Sequence, residues 1–249
     1  MNKFIALSGL PRAGSTLLSS ILSQNSDIHS EGNSAVCQMM WDMQESCQKA
    51  CAEQLSATKR YSTQNDVISA IPSLYYKDVT AKYIVDKCRS WTLPNNVEML
   101  HRYFTYSPKV IVLERPLIEV VKSYAYLRLQ NNYLGDPYYG LLEDWSEPII
   151  RSFNGIKWAK QNNSGEFLFV TYKDLVESTE DCINNIYDFC EIEPFKHNLS
   201  NIVNIHPEDD AVYNLIGQHD VRNNISYRDI NIDVPKHIID KCNILENDI

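Results

Sequence analysis

The chain has 249 residues, with 23 Lys and Arg against 32 Asp and Glu, a formal net charge of −9, 44% hydrophobic and 22% charged residues. Length and composition predict one globular α/β domain spanning residues 1–249. The acidic balance argues against a general nucleic-acid binder, which shows a basic face, and no apolar run reaches the roughly 18 residues of a membrane span.

The first apolar run, Phe4 to Ser8, ends in Gly9, and Leu10-Pro11-Arg12-Ala13-Gly14 leads into a helical pattern over Ser15–Gln24. This strand–loop–helix order, with Gly9 and Gly14 at the spacing of G-x-x-x-x-G-K-[ST], predicts a phosphate cradle of backbone N–H groups backed by a helix N-terminus. Ser15 occupies the lysine position, which leaves Arg12 as the cation of the loop. Asp27-Ile28-His29-Ser30-Glu31-Gly32-Asn33 follows and reads as a turn that carries His29 and Glu31. Val36, Met39, Met40, Met43, Cys47 and Cys51 fall at helical spacing and predict a helix over Ala35–Leu55 with a packed Met/Cys stripe. Tyr83–Val85, Val110–Leu113 and Phe167–Val170 read as three further buried strands, four with the first. Pro116 opens a helix with Leu117, Val120, Val121 and Tyr124 on one face. Asn131–Trp145 reads as a loop, either inert or a lid, and a further helix is predicted over Asp174–Cys190. From Ile192 onward the sequence is polar, Asn-rich and without clear period.

Strands alternating with helices predict a central parallel sheet flanked by helices in three layers, with ligands bound beyond the C-terminal strand ends. The residues there are the Gly9–Thr16 loop, Asp86-Lys87-Cys88-Arg89, Glu114-Arg115-Pro116 and Thr171-Tyr172-Lys173-Asp174. An electropositive rim on an acidic chain suits an anionic ligand. Seven cysteines, odd in number and without a C-x-x-C pair, predict free thiols in a reducing compartment rather than a disulfide framework, and no zinc site.

Pro11-Arg12-Ala13-Gly14-Ser15-Thr16-Leu17 resembles the 5′-phosphosulfate-binding loop of sulfotransferases, P-R-[SA]-G-[ST]-T-L. The arginine form of that loop is typical of the Golgi-type branch, tyrosylprotein sulfotransferases included, and of bacterial relatives. The resemblance covers about residues 3 to 190 and implies a P-loop-like fold. It also implies transfer of a sulfuryl group from 3′-phosphoadenosine 5′-phosphosulfate (PAPS) to a hydroxyl or amine, with no required metal. Pro11, Arg12, Ala13, Gly14, Ser15 and Thr16 are then donor-binding. Val110 to Ser123 resembles the segment in which an arginine at a strand end and a serine eight residues later hold the 3′-phosphate, here Arg115 and Ser123. Asp86-Lys87 resembles the step whose lysine meets the bridge between phosphate and sulfate, with Asp86 expected to orient Lys87. Glu31 lies where such enzymes carry a catalytic glutamate, with His29 as its competitor. Tyr172 and Arg222 are expected to border the nucleotide.

The catalytic set implied is thus Glu31, Lys87 and Arg12. The acceptor is left open among small molecules, carbohydrates, lipids and peptides. Golgi relatives carry a membrane anchor, whereas this sequence starts at Met1 and enters a strand by residue 3. Either the anchor was cut away or this is a soluble cytoplasmic protein of prokaryotic or phage-like type, without a signal peptide; the initiating Met1 favours the latter. Two rivals are a P-loop nucleoside-triphosphate kinase or ATPase, with Val110–Glu114 as its magnesium strand, and a non-catalytic nucleotide-binding protein. The missing loop lysine argues against the first, and Lys87 with Glu31 against the second.

Overall fold

The computed structural model describes residues 3–105, 107–144 and 147–247. Strands β1 (Lys3–Gly9), β2 (Ile28–Asn33), β3 (Tyr83–Lys87), β4 (Val110–Glu114) and β5 (Phe167–Thr171) form one parallel sheet in the order β2-β3-β1-β4-β5. Its inner strands are continuous apolar runs because helices cover both faces; Val110, Ile111, Val112 and Leu113 have no exposed surface. From β1 the chain goes out to the edge strand β2, returns to β3, and then crosses to the other side for β4 and β5. The reversal of direction lies at β1, so the crevice expected of an open α/β sheet opens at its C-terminal end.

The helices are α1 (Ser15–Leu22), α2 (Val36–Gln48), α3 (Ala52–Ala57), α4 (Tyr61–Tyr75), α5 (Pro94–Tyr103), α6 (Leu117–Gln130), α7 (Ser152–Gln161), α8 (Tyr172–Glu177), α9 (Thr179–Cys190) and α10 (Lys236–Asn247). In α1, Leu18, Ile21 and Leu22 share the buried face, at the i, i+3, i+4 spacing that sets one side of a helix on a sheet. Pro94 opens α5 at a position where its missing N–H costs nothing.

Several expectations need correction. Five strands form rather than four, because Ile28–Asn33 pairs with β3. An edge strand with one apolar residue carries little hydrophobic signal. The helix expected over Ala35–Leu55 breaks after Gln48, where Lys49 leaves helical geometry. Its stripe is also narrower than expected: Val36, Met40 and Cys47 are buried, whereas Met39 and Met43 are exposed and so is Cys51. The helix expected over Asp174–Cys190 is two helices divided at Ser178. Each has its own anchor, with Thr171 Oγ1 accepting from the Asp174 N–H at 3.0 Å and Thr179 Oγ1 donating to the Leu175 carbonyl at 2.7 Å. The loop after α6 is present, although Trp145 at its end lies outside the described residues.

The C-terminal stretch is ordered around the sheet's working edge. Its last helix, α10, lies against α6, and Glu246 Oε1 accepts the Leu117 N–H at 2.7 Å. A carboxylate thus meets the positive end of α6, where a free N–H needs a partner.

Gly9 fixes the approach of β1 to β4. Its φ of +142° favours glycine, and a Cβ there would lie 2.4 Å from the Leu113 carbonyl oxygen and 2.7 Å from the Leu113 nitrogen. Backbone cannot yield as a side-chain tip can, so Gly9→Ala is expected to lower stability by about 1–3 kcal/mol. Denaturant unfolding of the two proteins measures it; equal midpoints with equal slopes would show that the strands can part without cost.

Candidate functional site

The loop after β1 bends through two left-handed residues, Arg12 (φ +63°) and Gly14 (φ +92°). Gly14 is the N-cap of α1 and has no side chain with which to cap it, so the first N–H groups of α1 remain available to an anion. Gly14, Ser15, Thr16 and Leu17 line the cavity at this point. Pro11 and Ala13 are buried within the loop and do not line it.

A left-handed arginine costs about 1–3 kcal/mol of backbone strain, and three contacts offset it. Arg115 Nη1 donates to the Arg12 carbonyl at 2.9 Å, Arg12 Nε donates to Ser123 Oγ at 3.1 Å, and Arg12 Nη1 donates to the Gln218 carbonyl. Burial, with help from Arg115 and Arg228, pushes the Arg12 guanidinium below the ordinary arginine value. Arg115 itself is held by Glu119 Oε2 at 2.9 Å and lies over the Tyr172 ring, 4.2 Å from its centroid. Arg12, Arg115, Ser123, Tyr172 and Arg222 therefore line one cavity, joined there by Arg89 and Arg228. That concentration of guanidinium groups in an acidic chain makes the cavity locally electropositive.

Lys87 and Glu31 lie beside this cavity rather than in its lining. Lys87 is buried at the end of β3, and its Nζ donates to Glu208 Oε2 at 2.9 Å. Glu31 stands on β2 with Oε2 3.2 Å from His29 Nε2, two residues away on the same face of the strand. The nearby His29 imidazole holds the Glu31 carboxyl below the ordinary range against the opposing effect of burial. Asp86 does not orient Lys87. Neighbours in a strand point to opposite faces, and the fully buried Asp86 carboxylate accepts from Ser34 Oγ at 2.5 Å, Tyr76 Oη at 2.8 Å and Trp91 Nε1 at 2.6 Å.

Within the stretch from residue 208 to 230, sequence reasoning singled out Arg222, which lines the cavity, and missed Glu208, Asp210, Gln218, His219 and Arg228. Glu208 Oε1 accepts the Asn33 N–H and the Asn33 Nδ2 group, both at 3.2 Å, and the Tyr213 hydroxyl at 3.3 Å. His219 Nε2 lies 3.4 Å from Glu208 Oε2, while His219 Nδ1 lies 2.6 Å from Asp210 Oδ1. Burial opposes charge on Glu208, yet Lys87, His219 and the Asn33 N–H outweigh it and hold the carboxyl below the ordinary range. The signal that could have extended that reading was the presence of His219 and Arg228 on either side of Arg222 in an otherwise Asn-rich tail.

The model of the Sulfotransferase family matches residues 5–197. The fold is similar to the sulfotransferase domain from the curacin biosynthetic pathway, at 19% identity and a TM-score of 0.61, over 99% of this chain and 96% of that one. It is similar also to the sulfotransferase domain of the Synechococcus PCC 7002 olefin synthase, at 17% identity and 0.56, over 98% and 95%. Among curated proteins none matches this chain. The family match spans the loop after β1, Lys87, Arg115, Ser123 and Tyr172, and ends before Glu208.

The Glu208 carboxyl titrates below its unfolded value near 4.5 in the folded protein. Its stabilising effect is therefore complete above that pH and is lost as pH falls through the lower folded value. Glu208→Gln is expected to flatten the acid limb of the stability curve, read from urea unfolding at a series of pH values. An acid limb as steep as in the native protein would show that Glu208 is not coupled to folding.

Proposed function

The chain belongs to the sulfotransferase family, and from this premise we propose that it transfers the sulfuryl group of PAPS in line to a hydroxyl or amine. The observation that carries the reading is the uncapped start of α1 behind Arg12, sharing one cavity with Arg115, Ser123 and Tyr172. Cradle N–H groups suit a 5′-phosphosulfate. A second anionic group is suited by Arg115, whose planar guanidinium is held by Glu119 and Tyr172. Ser15 in the lysine position favours this donor over a nucleoside triphosphate.

In this mechanism Glu31 takes the acceptor proton as the acceptor oxygen bonds to sulfur. The sulfur–oxygen bond to the 5′-phosphate breaks, and the electron pair stays with that phosphate. Lys87 and Arg12 stabilise the charge that builds there, which favours the transition state over the bound donor. No metal is assigned a part. The acceptor is a small molecule, carbohydrate, lipid or peptide bearing the nucleophile, and a labelled-donor screen against hydroxylated sugars, lipids and tyrosyl peptides identifies which. A cytoplasmic location belongs to the same reading; all seven cysteines are free, and among the described residues no helix is long and apolar enough to cross a membrane.

Calorimetry with PAPS, adenosine 5′-phosphosulfate and ATP plus magnesium tests the donor. Arg115→Ala removes a charge-assisted contact of about 1.5–3 kcal/mol and should weaken binding roughly ten- to a hundredfold. Adenosine 5′-phosphosulfate should bind the native protein with a comparable deficit. Equal affinity for the two donors, or tighter binding of ATP with magnesium, would overturn the assignment.

Turnover with the acceptor so identified tests the base. Glu31→Gln keeps the shape and should lower turnover by about 10²–10⁴, with donor affinity little changed. Full activity in Glu31→Gln together with loss in His29→Ala would move the base to His29. Abolition of the native reaction by magnesium chelation would favour phosphoryl transfer instead.

A further inference from the structure

We infer that Glu208 is a positioning residue for Lys87, which fixes the direction of the ammonium and keeps it charged before the donor binds. The inference rests on the part given to Lys87 above and concerns a residue beyond the stretch matched by the family model.

Three features single Glu208 out. First, the contact is enclosed, with 4% of the Lys87 side chain and 12% of the Glu208 side chain exposed. A surface ion pair contributes little, but a buried ammonium without a partner gives up its proton. Second, the carboxylate is aimed. Asn33 holds Oε1 through its backbone N–H and its side chain, leaving Oε2 for Lys87. Asn33 and Lys87 are register partners across β2 and β3, so the backbone sets the geometry. Third, room has been left for it. A Cβ on Gly32 would lie 2.3 Å from Glu208 Cγ and 2.4 Å from Cδ. The Glu31-Gly32-Asn33 sequence therefore offers a slot and an anchor for a carboxylate that comes from far along the chain.

The other charged groups at this point do not replace Glu208. Arg89, in the turn after β3, opposes charge on Lys87, while Asp210 supports it less than Glu208 does. Asp210 is itself engaged with His219, whose imidazole lies near both Glu208 and Lys87. Glu31 is taken up with His29 on β2, next to the His206 ring. Asp86 points to the other face and bonds Ser34, Tyr76 and Trp91. Burial lowers the Lys87 pKa and Glu208 is the largest influence raising it. In the donor complex the phosphates of the ligand also favour the charged amine, so the influence of Glu208 belongs mainly to the free protein.

PAPS binding followed by calorimetry from about pH 6 to about pH 10 separates the outcomes without needing the acceptor. In Glu208→Gln, the alkaline fall in affinity should begin about 1–3 pH units lower than in the native protein. Above that point binding should take up a proton, seen by repeating the titration in buffers of different ionisation enthalpy. Gly32→Ala, which displaces Glu208 while preserving every charge, should shift the fall in the same direction, and Glu208→Asp should restore part of it. Lys87→Ala should bind more weakly at all pH and lack that alkaline fall. If the affinity ratio of native protein to Glu208→Gln is independent of pH while Lys87→Ala is impaired, the positioning role is wrong and the part given to Lys87 survives. If Lys87→Ala binds PAPS like the native protein at every pH, the part given to Lys87 fails, and the role of Glu208 with it.

Discussion

The absence of a side chain at Gly9 lets the end of β1 run against the Leu113 backbone of β4, and this approach spaces the candidate site. The loop after β1 and the arginine after β4 leave the sheet side by side. The Arg12 carbonyl is then within reach of Arg115. A wider separation of the strands would part the cradle from its cationic wall. The left-handed turn at Arg12 depends on the same spacing, because the group that receives its carbonyl stands on β4's end. Backbone strain is tolerated here because neighbouring strands and α6 hold the residue at both its main chain and its side chain.

The electrostatics follow from this arrangement. A chain with net charge −9 concentrates Arg12, Arg89, Arg115, Arg222 and Arg228 around one crevice. Like charges this close are costly unless carbonyls, carboxylates and rings take up part of the field. Glu119, the Gln218 carbonyl and the face of Tyr172 do so. At the edge of the crevice, which His219 lines, Lys87 with Glu208 and His219 with Asp210 form a second polar cluster with its own compensation. The site thus has a guanidinium-rich wall next to a region where titratable groups meet in low dielectric, and each favours a different kind of chemistry.

How much of this was legible in the sequence depended on the range of the interaction. β1, β3 and β4 announce themselves because burial on both faces leaves apolar runs, β5 because its Phe167–Val170 run is apolar although it lies at the edge, and the loop after β1 because its glycines obey a local geometric need. Arg115 and Ser123 are eight residues apart on a strand end and the next helix, so their meeting follows from local structure. β2 was hidden because an edge strand tolerates His29, Glu31 and Asn33. The break after Gln48 was hidden because helical spacing continues through it. Nothing local marks the part of Glu208 at the strand ends, since Lys87 and Asn33 lie 121 and 175 residues away from it. Periodicity cannot report a contact that only the closed fold creates. The fold class and the site residues of the strand ends were readable for that reason, whereas the contacts of Glu208, Asp210 and His219 were not.

The acceptance of the Leu117 N–H by Glu246 has a consequence in time. Synthesis proceeds from the N-terminus, so the loop after β1 leaves the ribosome long before the groups that complete its surroundings. Gln218 follows Arg12 by 206 residues, and the carboxylate at the start of α6 follows Leu117 by 129. A nascent chain can pair its strands and bury their runs while the crevice still lacks part of its wall. Contacts of such sequence separation are the slow ones to form. Completion of the crevice therefore waits on Gln218, far along the chain from the motif that first identifies the site.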